Sequence, residues 1–163
     1  MHNLEKALKF CIFAEKIETL KKTTKMPYPE QLCAPMREEL VSVGFEELKS
    51  ANEVVGALPG NAGTVLVVVN SVCGCAAGSA RPGVKLSLSG DKKPQKLYTV
   101  FAGQDMEATA EARKFFAPFP PSSPSVALFK DGKLVHFLER HHIEGSSAGM
   151  IAENLNAAFA EYC

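Results

Sequence analysis

Thr64-Val65-Leu66-Val67-Val68-Val69-Asn70-Ser71-Val72-Cys73-Gly74-Cys75-Ala76-Ala77-Gly78 is the stretch on which the reading of the chain turns. Its first half is a run of β-branched and aliphatic residues too dense to alternate between core and solvent. Such a run predicts a central strand buried on both faces. The strand ends at Asn70-Ser71, and two cysteines one residue apart then open an Ala-rich segment with helical character. A buried strand that delivers a pair of thiols to a helix N-terminus is an arrangement suited to thiol chemistry.

The neighbouring segments supply the rest of a mixed α/β domain. Upstream, Pro35 is placed as a first helical residue, with Met36, Leu40 and Val43 on one face and Gly44 as the stop. Phe45 to Leu48 reads as an edge strand, and Ser50 with Glu53 forms a capping box for a helix burying Val54, Val55 and Leu58. Downstream, the helix after the cysteines is expected to kink at Arg81-Pro82-Gly83. Leu97 to Ala102 predicts a second buried strand, and Asp105 is placed as a helix cap with Ala108, Ala112, Phe115 and Phe116 on the apolar face. Residues 118–124 are too rich in proline for regular structure. Ser125 to Phe129 and Leu134 to Leu138 flank the turn pair Asp131-Gly132, a hairpin signal. Ser146 or Ser147 opens a last helix carrying Ile151, Leu155, Ala158 and Phe159. Parallel βαβ units followed by an antiparallel hairpin and a helix predict a three-layer α/β/α domain with a mixed central sheet, the thioredoxin-like pattern.

The 163 residues fit one domain of ordinary size, expected at 26–163, preceded by a separate extension at 1–25. That extension carries a rough helical stripe and then the polar run Lys21 to Lys25; it reads as an interaction helix or as sequence upstream of a functional start at Met26. Lys and Arg number 18, as do Asp and Glu, so charge gives no reason to expect nucleic acid or a membrane surface as a partner. No apolar run reaches the roughly 20 residues of a membrane span, and the N-terminus is a poor signal peptide. A cytoplasmic protein is expected.

The five cysteines are Cys11, Cys33, Cys73, Cys75 and Cys163. An odd count with uneven spacing argues against a structural disulfide framework. Cys33 and Cys163 read as terminal or loop residues available for mixed or intermolecular disulfides, and a monomer or weak homodimer is expected.

At a helix N-terminus the unpaired N–H groups and the helix dipole stabilise a thiolate, which is the nucleophile of disulfide exchange. Cys73 therefore reads as the attacking thiol and Cys75 as the resolving one. Residues i and i+2 in a turn have Cα atoms roughly 5.5 Å apart, within disulfide range. The ring they close is small, so the bond is expected to be strained and easily reduced, with Gly74 supplying backbone freedom. A zinc site needs about four ligands, and Cys33, His141 and His142 have no spacing that supports one; no cofactor or metal is expected. Pro124, just before a strand, is a candidate for a cis peptide bond beside the thiols. His136 reads as structural, and Arg81 as a solvated helix-surface residue, with a thiolate partner as its other reading.

Val67 to Gly78, together with Ala80-Arg81-Pro82, resembles the signature of the bacilliredoxins, thioredoxin-like bacterial proteins with Cys-Gly-Cys in place of Cys-X-X-Cys. Met36 to Leu40, Gly44 to Leu48, Val100 to Asp105, Pro121 to Ser125 and His136 to His141 continue the likeness from about Met26 to Cys163. The resemblance implies a thiol–disulfide oxidoreductase that removes bacillithiol from mixed disulfides on proteins, or a disulfide isomerase. It also implies Cys73 as nucleophile, Cys75 as resolving thiol and Pro124 as a cis-proline facing the site. A non-catalytic binding module presenting residues 118–124 is the competing expectation.

Overall fold

A computed structural model describes residues 27–60 and 62–163. The extension expected at 1–25, with Cys11 in it, lies outside the described residues, as do Met26 and Asn61.

Five strands form one sheet in the order β1-β3-β2-β4-β5: β1 (Glu46–Glu47), β2 (Thr64–Asn70), β3 (Lys96–Phe101), β4 (Ser125–Lys130) and β5 (Lys133–Leu138). β2 sits at the centre, and all seven of its residues are buried. It pairs parallel with β3, Val69 opposite Val100, and antiparallel with β4, Val67 opposite Ala127. β1 is parallel to β3, and β5 is antiparallel to β4 across a turn in which Asp131 and Gly132 have φ of 49° and 75°. Positive φ at both turn residues matches the twist of the flanking strands.

Alternate residues of β2 point into two separate cores. Val65, Val67 and Val69 pack with Val54 of α2 (Ala51–Ala57) and with Ala112 and Phe116, at the end of α4 (Met106–Lys114). Leu66 and Val68 face Leu40 of α1 (Glu30–Val41), Val84 of α3 (Arg81–Ser87), and Leu155 and Phe159 of α6 (Ala148–Tyr162). Full burial of each such side chain is worth about 1.5–3 kcal/mol relative to exposure. The expected three-layer α/β/α architecture with a mixed sheet is therefore observed, and a parallel β–α–β unit followed by a hairpin and closing helix is the thioredoxin-like order.

Local structure differs from expectation at several points. α1 begins at Glu30, so Pro35 lies inside it rather than at its start, and Gly44 follows its end with φ of 100°. The buried face of α1 is Cys33, Arg37 and Leu40, a stripe obscured in sequence by the charge on Arg37. That charge is matched: Arg37 donates to both Asp105 carboxylate oxygens, at 2.9 and 2.8 Å, and pairs with Glu47. Cys33 is consequently a fully buried helix residue, not a loop thiol, and burial pushes its pKa up. Asp105 does not cap α4 with its side chain; its carboxylate is turned to Arg37 and the Phe101 N–H. In α2 the Ser50–Glu53 capping box is present, but Val55 is exposed and Ala57 takes the buried position. Ser147 caps α6 by accepting from the Met150 N–H at 3.2 Å. One element lies outside the sequence expectations, the single-turn helix α5 (Arg140–Ile143) after β5.

Candidate active site

The thiols lie where β2 leaves the sheet. Helical structure begins at Gly74, passes through a π-helical turn at Ala76–Ala80 and continues as α3. The wide turn ends just before Pro82, whose ring would crowd the carbonyl four residues earlier in a regular α-helix. The sequence places a kink at Arg81-Pro82-Gly83; a π turn, a feature frequent at functional sites, lies just before that segment, which itself opens α3.

A buried polar knot fixes the strand-to-helix loop. Asn70 donates from Nδ2 to the Met36 carbonyl at 2.9 Å, while its Oδ1 accepts from the Ser71 N–H at 2.8 Å and from Arg81 Nη1 at 3.2 Å. An amide both donates and accepts, so one side chain ties α1, β2 and α3 together. Arg81 is 2 % exposed, which corrects its reading as a solvated helix-surface residue. Its Nη1 also donates to the Ser71 carbonyl, and its Nε lies 3.0 Å from Glu39 Oε2.

Ser71 Oγ lies 3.2 Å from Cys73 Sγ. The Cys73 carbonyl accepts from the N–H groups of Ala76 and Ala77, which sets the first turn, and Cys75 sits within that turn. Burial alone would raise the Cys73 pKa. Hydrogen bonds from the Cys75 thiol, the Ser71 hydroxyl and the Ala76 N–H, with the charge of Arg140, outweigh it and hold the thiol below the ordinary range. Cys75 moves the other way, pushed up by burial and by the neighbouring Cys73 sulfur. Environment therefore separates two chemically identical groups into an acidic, half-exposed thiol and a thiol that keeps its proton.

Gly74 is exposed and not at positive φ, and a Cβ there would meet no atom within 4 Å. In the free-thiol form neither space nor backbone demands glycine. The Ser123–Pro124 peptide bond is cis and Pro124 is buried. Ser123, rather than Pro124, lines the cavity of about 500 Å³ that opens beside Cys73.

Arg140 also lines that cavity and donates to the Ser123 carbonyl at 3.3 Å. The sequence reading assigns no role to Arg140 or to Ser71. The available signal for Arg140 is its place at the start of a short helix following a strand, where Glu139 and His142 form a reciprocal cap. His136 is satisfied by Asn154 at 2.7 Å, and His141 and His142 are exposed. Among the described residues the one trio with donor atoms close enough for a metal is Glu139, His141 and His142, which contains no cysteine. Cys163 is exposed and Cys33 buried, and neither joins the Cys73–Cys75 pair.

A family described as disulphide isomerase matches residues 28–163. A bacilliredoxin of Cytophaga hutchinsonii is 58% identical over 134 residues, covering 82% of this chain and 98% of its own length. The chain belongs to the bacilliredoxin family. A bacilliredoxin of Halalkalibacterium halodurans is 52% identical, covering 83% of this chain and 94% of its own. A thioredoxin of Malassezia sympodialis aligns with a TM-score of 0.47 at 15% identity, over 73% of this chain and 90% of that one. The chain is a thioredoxin-like thiol–disulfide oxidoreductase, as its family membership establishes.

Proposed function

We propose that this oxidoreductase reduces mixed disulfides between proteins and a low-molecular-weight thiol, with bacillithiol as the thiol its family name suggests. The observation that carries the reading is the placement of Cys73 and Cys75 in the first helical turn after β2, with the Ser71 hydroxyl 3.2 Å from Cys73 Sγ. The opposed pKa directions of the two thiols agree with it. The Cys73 thiolate attacks the small-thiol sulfur of the mixed disulfide. The S–S bond to the protein breaks, the protein thiolate leaves and takes a proton from solvent, and the small thiol is now joined to Cys73 through a new S–S bond. Cys75 gives up its proton and attacks the Cys73 sulfur; the small thiolate departs and a Cys73–Cys75 disulfide remains. Two electrons from an external thiol reductant restore the pair. Gly74 gives the small ring its backbone freedom, and the cis peptide bond at buried Pro124 sets the loop before β4 from which Ser123 lines the site. The domain acts in the cytoplasm as a monomer or weak homodimer, needs no cofactor, and begins near Met26.

Trapping tests this directly. A Cys75→Ser variant treated with a protein carrying the small thiol should hold that thiol on Cys73, seen as a mass increase on one peptide. No trapped adduct, together with alkylation of Cys73 only at the pH of an ordinary thiol, would defeat the proposal.

Isomerisation of protein disulfides is a second reading, favoured by the description of the matched family. It uses the same attack by Cys73, but a thiol of the substrate itself, rather than Cys75, releases the intermediate.

A further inference from the structure

The cavity beside Cys73 is lined by a half-buried arginine, Arg113, that the exchange reaction does not use. Ser71 and Cys73 of the strand-end loop, Thr109 and Arg113 of α4, and Arg140 line it. No aspartate or glutamate is among the residues that line it.

Arg113 is half-buried, and its one hydrogen bond is a long one, 3.4 Å from Nη2 to the Ser122 carbonyl. Its Nε is buried with no hydrogen-bond partner. Among the described residues no carboxylate lies within ion-pair distance of it, unlike Arg37 and Arg81. Burial without a counter-charge disfavours the cation, and the pKa of Arg113 is lowered for that reason. Thr109, one helical turn away, is 3 % exposed, and its Oγ1 is likewise without a partner. Arg140 is paired with exposed Glu144 at 3.4 Å, a contact weakened by solvent that leaves its charge available to a ligand. A desolvated guanidinium without a carboxylate is costly in a closed structure and useful in a binding site, because it pairs with planar anions through two parallel N–H donors. The volume suits a small molecule.

We infer that this cavity is a carboxylate-binding subsite for the small-thiol half of the substrate, anchored by Arg113 with Arg140 as second cation. The inference rests on the proposed exchange reaction, since it positions the sulfur that Cys73 attacks. A carboxylate seated on Arg113 directs the attached thiol sulfur toward Cys73, so the enzyme selects anionic small thiols over neutral or cationic ones.

Three symmetric disulfides of similar size test it: 3,3′-dithiodipropionate (anionic), hydroxyethyl disulfide (neutral) and cystamine (cationic). In each case the Cys73 thiolate attacks one sulfur, one thiolate leaves, and Cys75 closes the ring with loss of the second. Rates are followed by acid quench and mass spectrometry on the full chain. The native protein should favour the anionic disulfide over the neutral one by about tenfold, as expected for a charge-assisted pair, and cystamine should be slowest. The preference should shrink with added salt. In Arg113→Gln the anionic-to-neutral rate ratio should collapse toward one, with Arg113→Lys between; the ratio cancels any change in thiol reactivity. An equal ratio in the native protein and Arg113→Gln overturns the subsite while leaving exchange at Cys73 intact. The absence of salt dependence in the native preference overturns it without any variant. Failure of all three disulfides to react at Cys73 overturns the parent reading and the subsite with it.

Discussion

Arg81 Nη1 lies 3.1 Å from the carbonyl oxygen of Ser71, two residues before the acidic thiol. A fully buried guanidinium therefore holds the backbone from which Cys73 is presented, and the same nitrogen reaches Asn70 Oδ1. The turn that carries Cys73 is thus anchored from inside the protein, behind the half-exposed thiol.

Replacing Arg81 with methionine keeps the volume and removes every donor. Asn70 Oδ1 and the Ser71 carbonyl each lose a charge-assisted bond, while half-exposed Glu39 can return to water. The expected loss of stability is about 2–3 kcal/mol, read from urea denaturation midpoints at unchanged m-value. A change below about 0.5 kcal/mol, the scatter of ordinary surface substitutions, would show that the knot does not carry the loop.

Ser71→Ala removes the hydroxyl 3.2 Å from Cys73 Sγ and little else. The thiolate loses one of the donors that hold its pKa down. Because the thiolate is the reactive form, the pH profile of Cys73 alkylation should move to higher pH. At neutral pH the rate should drop by about three- to tenfold, the worth of one modest hydrogen bond. An unchanged profile would assign the acidity to the Ala76 N–H, Cys75 and Arg140 alone.

The fold is legible in the sequence because β2 is buried on both faces and its density of Val and Leu admits no other placement. The cysteine pair is legible because thiols one residue apart at a helix start have few other uses. Arg81 and Arg37 are not, since a charged residue on a helix reads as solvated unless its partners are known. Those partners, Asn70 and Glu39 for one and Asp105 and Glu47 for the other, are up to 68 residues away in sequence. Asp105 misleads for the same reason: a cap is a local pattern, and a distant arginine takes its carboxylate. Arg113 looks like any arginine in the last turn of a helix, and only the lack of an acid across the cavity sets it apart.

Gly74→Ala separates the two oxidation states. With the thiols free, Gly74 is helical and exposed and has room for a Cβ, so alanine should stabilise that form by about 0.5–1 kcal/mol. The proposed Cys73–Cys75 ring draws the turn away from helical geometry and should gain nothing from helix propensity. The reduction potential of the pair should therefore become less negative by about 10–20 mV, measured against a dithiol redox buffer. A shift toward more negative values would mean that the ring, not the helix, profits from the methyl group.

Glu47 provides a pH test away from the thiols. Burial alone would raise its pKa, but hydrogen bonds from Lys49 and Arg37 outweigh it and draw the carboxyl below the usual glutamate range. As pH falls, the unfolded chain takes up this proton first. The stabilisation is thus complete above the ordinary glutamate pKa and is lost as pH falls through the lower folded value. Glu47→Gln lacks the contribution at every pH. Denaturation at a series of pH values should show native protein and variant furthest apart near neutrality, converging in acid as Glu47 is protonated. A gap that stays constant across the acidic range would mean that the Glu47→Gln variant loses stability through packing rather than charge, and that the Arg37 ion pairs do not govern the acid limb.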